Sequence, residues 1–481
     1  MRMMVAAAAA LAFGAIAPAS GTAQTAADST SGLEGRVDSL FAEFDHTNSI
    51  GCALGIVRSG RLIYRRGYGM ADVERRVPMT PQTLVDIGSV SKQFTAMAIM
   101  MLADRKQLSL DDDIRKYVPE LPQYERPITL RHLIHHTSGL RDYLTLLYLS
   151  GLDFSDVATD DDGLAILKRQ RSLDFTPGAE YSYSNSGYFL LTFVIKQVTG
   201  RTFRDFAREE FFDPLGMTHT LVHDYASLIP NRAVGYSRTP QGDLQVEIWR
   251  FTQTGDGAIF TSIEDLVHWD QNFYTGEVGG AAVMAEMHRT GVLNDGRNIT
   301  YAGGNNVSRY RGLRRVSHTG GGGGFSSAIT RFPDQRFSVL VSCNQDGANA
   351  GRKAQEVADL YLAGDFTEPA EPAAASGPSQ LTDSAVSSPG LTSAELARYA
   401  GEYWSDELGV AYRVEVVEEK LALRVGRKPS QVLAARAADT FAGAYTVVKF
   451  TRDRRGQVAG FLLSAGRIQN LRFERTSRTR P

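Results

Sequence analysis

A serine and a lysine one helical turn apart, Ser89 and Lys92, stand in the run Asp86-Ile87-Gly88-Ser89-Val90-Ser91-Lys92-Gln93-Phe94-Thr95, just ahead of an apolar stretch. Positions three apart on a helix share a face, so the amine can lie beside the hydroxyl. A lysine that spends part of its time neutral can take the serine's proton, and burial or a nearby cation favours that state. The chemistry this allows is acyl transfer with Ser89 as nucleophile and a covalent intermediate. Backbone N–H groups at the helix start can support the negative charge that develops on the reacting carbonyl. On its own the pair is also explained by an ordinary first helical turn with a solvent-facing lysine.

Two further runs supply what acyl transfer still needs: a proton donor to the leaving group and a place for the substrate. In Glu180-Tyr181-Ser182-Tyr183-Ser184-Asn185-Ser186-Gly187-Tyr188, Tyr183 and Asn185 are two apart and can address one cavity from an extended or tight-loop backbone. A phenol beside Lys92 can shuttle protons, and the Asn185 amide can hold both Lys92 and a substrate carbonyl. Tyr181 and Tyr188 read as aromatic core. In His318-Thr319-Gly320-Gly321-Gly322-Gly323-Gly324-Phe325 the glycines remove side chains where the backbone must pass close to something. A dinucleotide loop has different spacing and a βαβ context. The better reading is an edge strand that pairs with substrate backbone and carries His318 at its head, against a plain glycine turn.

The remaining histidines do not call for a metal. His132 and His136 have helical ligand spacing but no glutamate base between them, so His136 is expected to hydrogen-bond backbone in a structural turn. His219 and His223 read as loop or surface residues, and Asp256 as a turn former before a helix from Ile263 to Phe273. No cofactor is implied.

The elements that must position these groups follow from pattern. Ile50 to Val57 and Arg61 to Arg65 read as a hairpin turning at Ser59-Gly60. Phe94 to Leu102 reads as a buried helix, Phe337 to Cys343 as a strand, and Ala354 to Leu362 as a closing helix. A long, mostly helical insertion thus separates a first and a last set of strands, which predicts an α+β domain over residues 33–365: an antiparallel sheet flanked by helices. Residues 366–392 are rich in proline, alanine and serine and read as a linker. Residues 393–481 carry short strands at Tyr412–Val416, Leu421–Val425, Ala444–Phe450, Val458–Leu463 and Leu471–Phe473, predicting a small antiparallel β-barrel or sandwich. This last module has more basic than acidic residues. Its basic side chains are read as a solvated face, with a patch that reaches an acidic substrate as the alternative.

Residues 1–23 read as an export signal: Arg2, an apolar run from Val5 to Ala17, and Gly21-Thr22-Ala23 as a small-residue cleavage site. The apolar run falls short of the roughly 20 residues a membrane span needs. A periplasmic or secreted protein without an integral membrane segment after signal removal is expected. With 52 basic and 54 acidic residues the chain is nearly neutral, which gives no reason to expect a nucleic-acid partner. Cys52 and Cys343 lie in apolar runs and could pair after export; two buried free thiols are the preferred reading.

Taken together, Ser89-Val90-Ser91-Lys92, Tyr183-Ser184-Asn185 and His318-Thr319-Gly320 resemble the three motifs of the serine beta-lactamase and penicillin-binding-protein superfamily. They look most similar to its class C beta-lactamase-like branch, with D-aminopeptidases, D-Ala-D-Ala carboxypeptidases and family VIII esterases. The resemblance implies that Ser89 forms the acyl-enzyme and that Lys92 and Tyr183 transfer protons. It implies that Asn185, His318, Thr319, Gly320 and Gly321 contact substrate, with the N–H groups of Ser89 and Gly321 as oxyanion hole. It also implies a lipocalin-like form for the C-terminal barrel, of the kind D-aminopeptidases carry after the catalytic domain. Efficient beta-lactamases of the branch usually carry lysine where this chain has His318. Histidine is mostly neutral near pH 7, which favours substrates without a carboxylate at that end. A D-aminopeptidase or peptide amidase is therefore expected, with a carboxylesterase next, then a beta-lactamase or carboxypeptidase. A non-catalytic binder of peptidoglycan or D-peptides is the non-enzymatic alternative. The substrate is a small molecule, peptide or ester.

Overall fold

In the central sheet the strand Cys52–Arg58 is buried along nearly its whole length, because it has neighbours on both sides and helices on both faces. The computed structural model describes residues 32–224, 226–369 and 391–476. The sheet is antiparallel and six-stranded, in the order Asn306–Tyr310, Leu313–Gly322, Phe325–Phe332, Phe337–Cys343, Cys52–Arg58, Arg61–Tyr68. At its far edge, Arg61–Tyr68 alternates exposed and half-buried residues, with Arg61 and Arg65 turned to solvent. First and last strands of the domain, Cys52–Arg58 and Phe337–Cys343, are neighbours within the sheet.

The pleat divides the core. Leu54, Ile56, Val339 and Val341 pack with Val37 of the helix at residues 32–40, with Phe41 just beyond it, and with Ala354 and Val357 of the helix Ala350–Tyr361. Ala53, Val57, Ile329 and Leu340 join the larger core formed by the helices Lys92–Asp104, Asn185–Thr199 and Ile263–Thr275. That last helix is capped by Ser262, whose side chain accepts from the N–H of Asp265. Asp256 lies in a bend over residues 255–257 ahead of that helix, in keeping with its expected place at a turn.

Cys52 and Cys343 face each other in register across adjacent strands and form a disulfide. The expectation of free thiols is overturned. Each lay in its own apolar run, and only the sheet order makes two residues 291 positions apart direct neighbours.

The C-terminal unit is a closed antiparallel barrel of eight strands in sequence order, from Gly401–Ser405 to Ile468–Arg475. Three strands went unread in the sequence: Gly401–Ser405, Gln431–Ala437 and Thr440–Ala442. The first opens on glycine, the second is alanine-rich and the third has only three residues, so none carries a sustained strand pattern. The barrel interior is filled: Tyr403, Phe450, Phe461 and Phe473 contact one another in sequence, with ring centroids 4.5 to 5.9 Å apart. A buried network docks the barrel on the first domain. Arg141 pairs with Asp174 at 3.0 Å and with Glu407 of the barrel at 3.2 Å. Tyr412 donates to the carbonyl of Leu149, and Lys428 to those of Tyr148 and Leu152.

The expected export signal lies outside the described residues, as does most of the expected linker. Among the described residues no helix is long and apolar enough to cross a membrane.

Candidate active site

Ser89 stands in a single 3-10 turn, Gly88–Ser91, that runs directly into the helix beginning at Lys92. The Lys92 amine lies 2.9 Å from Ser89 Oγ. Lys92 is wholly buried, and its nitrogen is also 2.8 Å from Asn185 Oδ1 and 2.7 Å from the backbone carbonyl of Asp256. Burial lowers the Lys92 pKa to about 8; the carboxylates of Asp256 and Asp142 oppose that shift and Arg467 reinforces it. The two carbonyl oxygens can only accept. When the amine is neutral, its two N–H groups are taken by Asn185 and Asp256, and its lone pair is left facing Ser89 Oγ–H.

Asn185 opens the helix Asn185–Thr199, and both its N–H and its Nδ2 donate to Asp142 Oδ2 at 2.8 Å. Asp142 itself caps the helix Tyr143–Leu149 by accepting from Thr145. This fixes the amide with its oxygen toward Lys92. Tyr183, two residues earlier, presents its ring 5.0 Å from the Lys92 amine. Burial raises the Tyr183 phenol above its ordinary range, offset in part by its hydrogen bond with Ser89 and by Arg467. The phenol is a proton donor there, not a standing anion.

His136 fulfils its structural expectation. Its Nδ1 accepts from the N–H of Ser184 at 3.2 Å, and its ring packs on Tyr183 with centroids 4.1 Å apart. His132 accepts from the N–H of Thr129 in a capping box. Among the described residues no group of three or more His, Cys, Asp or Glu side chains could hold a metal ion. His219 is exposed, but His223 is buried, packed edge-on against Phe260 with its pKa lowered to about 4 by burial, which corrects its surface reading. Tyr188 is core, as expected, whereas Tyr181 is exposed and lines the cleft.

The glycine run forms two structures. Gly320 and Gly321 continue the strand Leu313–Gly322, while Gly323 and Gly324 turn the chain into Phe325–Phe332. His318 sits within this strand, not at its head, and the strand is an edge only in part: Asn306–Tyr310 pairs it as far as Ser317 and leaves the glycine end open. That end lies against the Ser89 turn. A Cβ on Gly320 would come 1.9 Å from the carbonyl of Ile87, and one on Gly88 (φ +49) 2.8 Å from the Gly321 nitrogen. Glycine is required on both sides of the contact.

His318 is buried with both ring nitrogens occupied. Nδ1 faces the carbonyl of Thr319 at 2.6 Å and so carries the proton; Nε2 accepts from Tyr301 Oη at 2.9 Å. Burial lowers its pKa to about 3, so the ring is neutral. Thr319 faces the helix Ala350–Tyr361, with its methyl 2.7 Å from where a Cβ on Gly351 would sit.

Around these groups lies a cleft of about 1110 Å³, walled by Trp249, Phe251, Tyr181 and Tyr301 and reached by Arg467 from the barrel. Trp249, Phe251 and Tyr301 went unmarked as site residues in the sequence, and so did two charged members. Asp256 is buried, holds Lys92 through its backbone, accepts from Tyr143 Oη and has its pKa raised to about 6 by burial. Arg467 lies in the other unit, and nothing in its local run marks it.

The structure thus gathers Ser89, Lys92, Tyr183 and Asn185 at one cleft in an α+β fold that carries an appended barrel. A family model for beta-lactamase matches residues 37–363, and the chain belongs to that family. It is 28% identical over 417 residues to a D-aminopeptidase of Gluconobacter oxydans (strain 621H), covering 86% of this chain and 74% of that one. It is 28% identical over 408 residues to a penicillin-binding protein of Bacillus subtilis (strain 168), covering 81% of this chain and 87% of that one. Among solved structures, a penicillin-binding protein homologue from Pyrococcus abyssi superposes with TM-score 0.61 at 22% identity, covering 92% of this chain and 97% of that one. At that identity the likeness is one of fold. Family membership supports hydrolysis of amide or ester bonds of the serine-hydrolase type.

Proposed function

We propose that the chain is a D-aminopeptidase or peptide amidase that cleaves amide bonds through a covalent acyl-enzyme on Ser89. The observation that carries this reading is the placement of the Lys92 amine, whose lone pair is directed at Ser89 by two carbonyl acceptors. Ser89 Oγ attacks the substrate carbonyl as its proton passes to Lys92. The backbone N–H groups of Ser89 and Gly321 hold the oxyanion. Tyr183 gives a proton to the departing amine and is reprotonated from Lys92, so the C–N bond breaks without expelling an amide anion. Water then attacks the ester, its proton taken by the same pair, and Ser89 is regenerated. Asn185 holds Lys92 and meets the substrate; Thr319, Gly320 and Gly321 line the acyl group from the strand. The neutral, occupied His318 shapes that wall and supplies no fixed cation from the strand.

The test has two arms. A fluorophosphonate should add one adduct, mapped to Ser89 by mass spectrometry, and Ser89→Ala should lose both the adduct and turnover. A panel of D- and L-amino-acid p-nitroanilides, p-nitrophenyl esters and a chromogenic cephalosporin should show the D-anilides as the best substrates. Turnover of the cephalosporin alone would overturn the substrate class. A folded protein without the adduct would favour a binding role.

A further inference from the structure

We propose that Arg467, delivered by the C-terminal barrel, is a specificity-determining residue that receives a carboxylate on the leaving group of the substrate. This rests on the acyl-transfer reading above. Arg467 occupies the second position of a two-residue turn, Gly466-Arg467, between the strands Val458–Ala465 and Ile468–Arg475. Gly466, at φ +55, supplies the left-handed conformation that so tight a turn needs. A two-residue turn on a closed barrel has little freedom, and the Arg141–Glu407 pair fixes that barrel against the first domain. The side chain is therefore presented to the cleft from a rigid base.

Its surroundings leave it unused. The guanidinium stacks over the Tyr183 ring, 4.6 Å from the centroid, and half of the side chain stays exposed. Its one carboxylate neighbour among the described residues is Asp142, at 3.9 Å, beyond hydrogen-bond reach. That same Asp142 oxygen already accepts two hydrogen bonds from Asn185. Among the described residues the guanidinium donates no hydrogen bond, although its planar fork fits a carboxylate with two parallel bonds. The guanidinium lies against the ring whose hydroxyl gives its proton to the amine, and both line the cleft at Ser89, so a charge carried by the departing amine is within its reach. An amine product that is an amino acid with a free carboxylate meets this requirement. The cation that His318 does not supply on the strand thus comes from the opposite wall.

The test compares D-alanyl-D-alanine with D-alanyl-D-alaninamide, which differ only in charge on the leaving residue. The wild-type protein should hydrolyse the free acid with a kcat/KM about tenfold higher, as expected for a charge-assisted hydrogen bond at a partly exposed site. Arg467→Ala should bring the ratio near one, Arg467→Lys should keep part of it, and Arg467→Glu should invert it. Raising salt should shrink the wild-type ratio only. A wild-type ratio of one, or the same ratio in wild type and Arg467→Ala, overturns the proposal while leaving the hydrolase intact. Absence of turnover of both dipeptides together with absence of a Ser89 adduct overturns both. Because Arg467→Glu changes the sign of the preference, a loss of folding in Arg467→Ala cannot imitate the expected pattern.

Discussion

The backbone carbonyl of Asp256 lies 2.7 Å from the amine of Lys92, and this contact joins a loop before the Ile263–Thr275 helix to the residue beside Ser89. With Asn185 Oδ1 it gives Lys92 two acceptors that are present whether the amine is charged or neutral. The ammonium form needs a third acceptor, which Ser89 Oγ provides. The neutral form reverses that last bond without moving a heavy atom. The site is therefore arranged for a proton to cross between Ser89 and Lys92.

The pH dependence of kcat/KM follows from this. Only neutral Lys92 accepts the Ser89 proton, so activity should rise with pH along a limb centred near 8. The Asp256 carboxylate raises the Lys92 pKa, so Asp256→Asn, which keeps the backbone contact, should move the limb to lower pH. A limb that stays in place in this variant would assign the rise to another group. The measurement is a kcat/KM profile of both proteins on an uncharged ester.

Gly88→Ala tests the contact between the Ser89 turn and the glycine strand. The new methyl would lie 2.8 Å from the Gly321 nitrogen at a φ of +49 that side chains rarely adopt. The strand must retreat from Ser89. A loss of about a hundredfold in kcat/KM is expected, as for displacements near 1 Å at a reacting centre. Retained adduct formation at a lower rate would show that the nucleophile survives while its surroundings shift.

Glu407→Gln tests the docking of the barrel. Arg141 is buried between Asp174 and Glu407, with 3% of its side chain exposed. Burial raises the Asp174 pKa to about 6, so that partner is itself only partly available as an anion in mild acid. Removing the Glu407 charge should destabilise the protein by about 3 kcal/mol, read from urea unfolding. Arg141 is followed by Asp142, which holds Asn185, so activity should fall alongside stability.

Cys52→Ala combined with Cys343→Ala tests the disulfide. The bond closes a loop spanning 291 positions between two central strands, and its loss should cost about 2 to 5 kcal/mol. The urea midpoint of the wild-type protein under reducing conditions should approach that of the double variant. Identical midpoints with and without reductant would show that the bond does not contribute.

Much of the site was legible before any coordinates because its core is local. Ser89 and Lys92 meet through helical geometry alone, and Tyr183 and Asn185 through two-residue spacing at a helix start. The hairpin Cys52–Tyr68, the helix at Lys92 and the strand Phe337–Cys343 all carried strong apolar patterns. His223 lies in a loop, as expected, but is buried against Phe260, a contact its local run does not show. The contacts of Asp256 were not legible because Lys92 and Tyr143, which its carbonyl and carboxylate meet, lie more than a hundred residues away in the chain.

What the amino-acid order determined alone is the inventory: a serine with its amine, a phenol and amide pair, a glycine strand, and the strands and helices that carry them. Those features depend on neighbours within a turn or two, where covalent geometry dictates what meets what. Three-dimensional packing decided the rest. Register across the sheet paired Cys52 with Cys343, burial lowered the Lys92 pKa and silenced His318, and barrel closure carried Arg467 to Tyr183. Each of these depends on surfaces brought together over hundreds of residues, where desolvation and shape, rather than spacing, set the outcome.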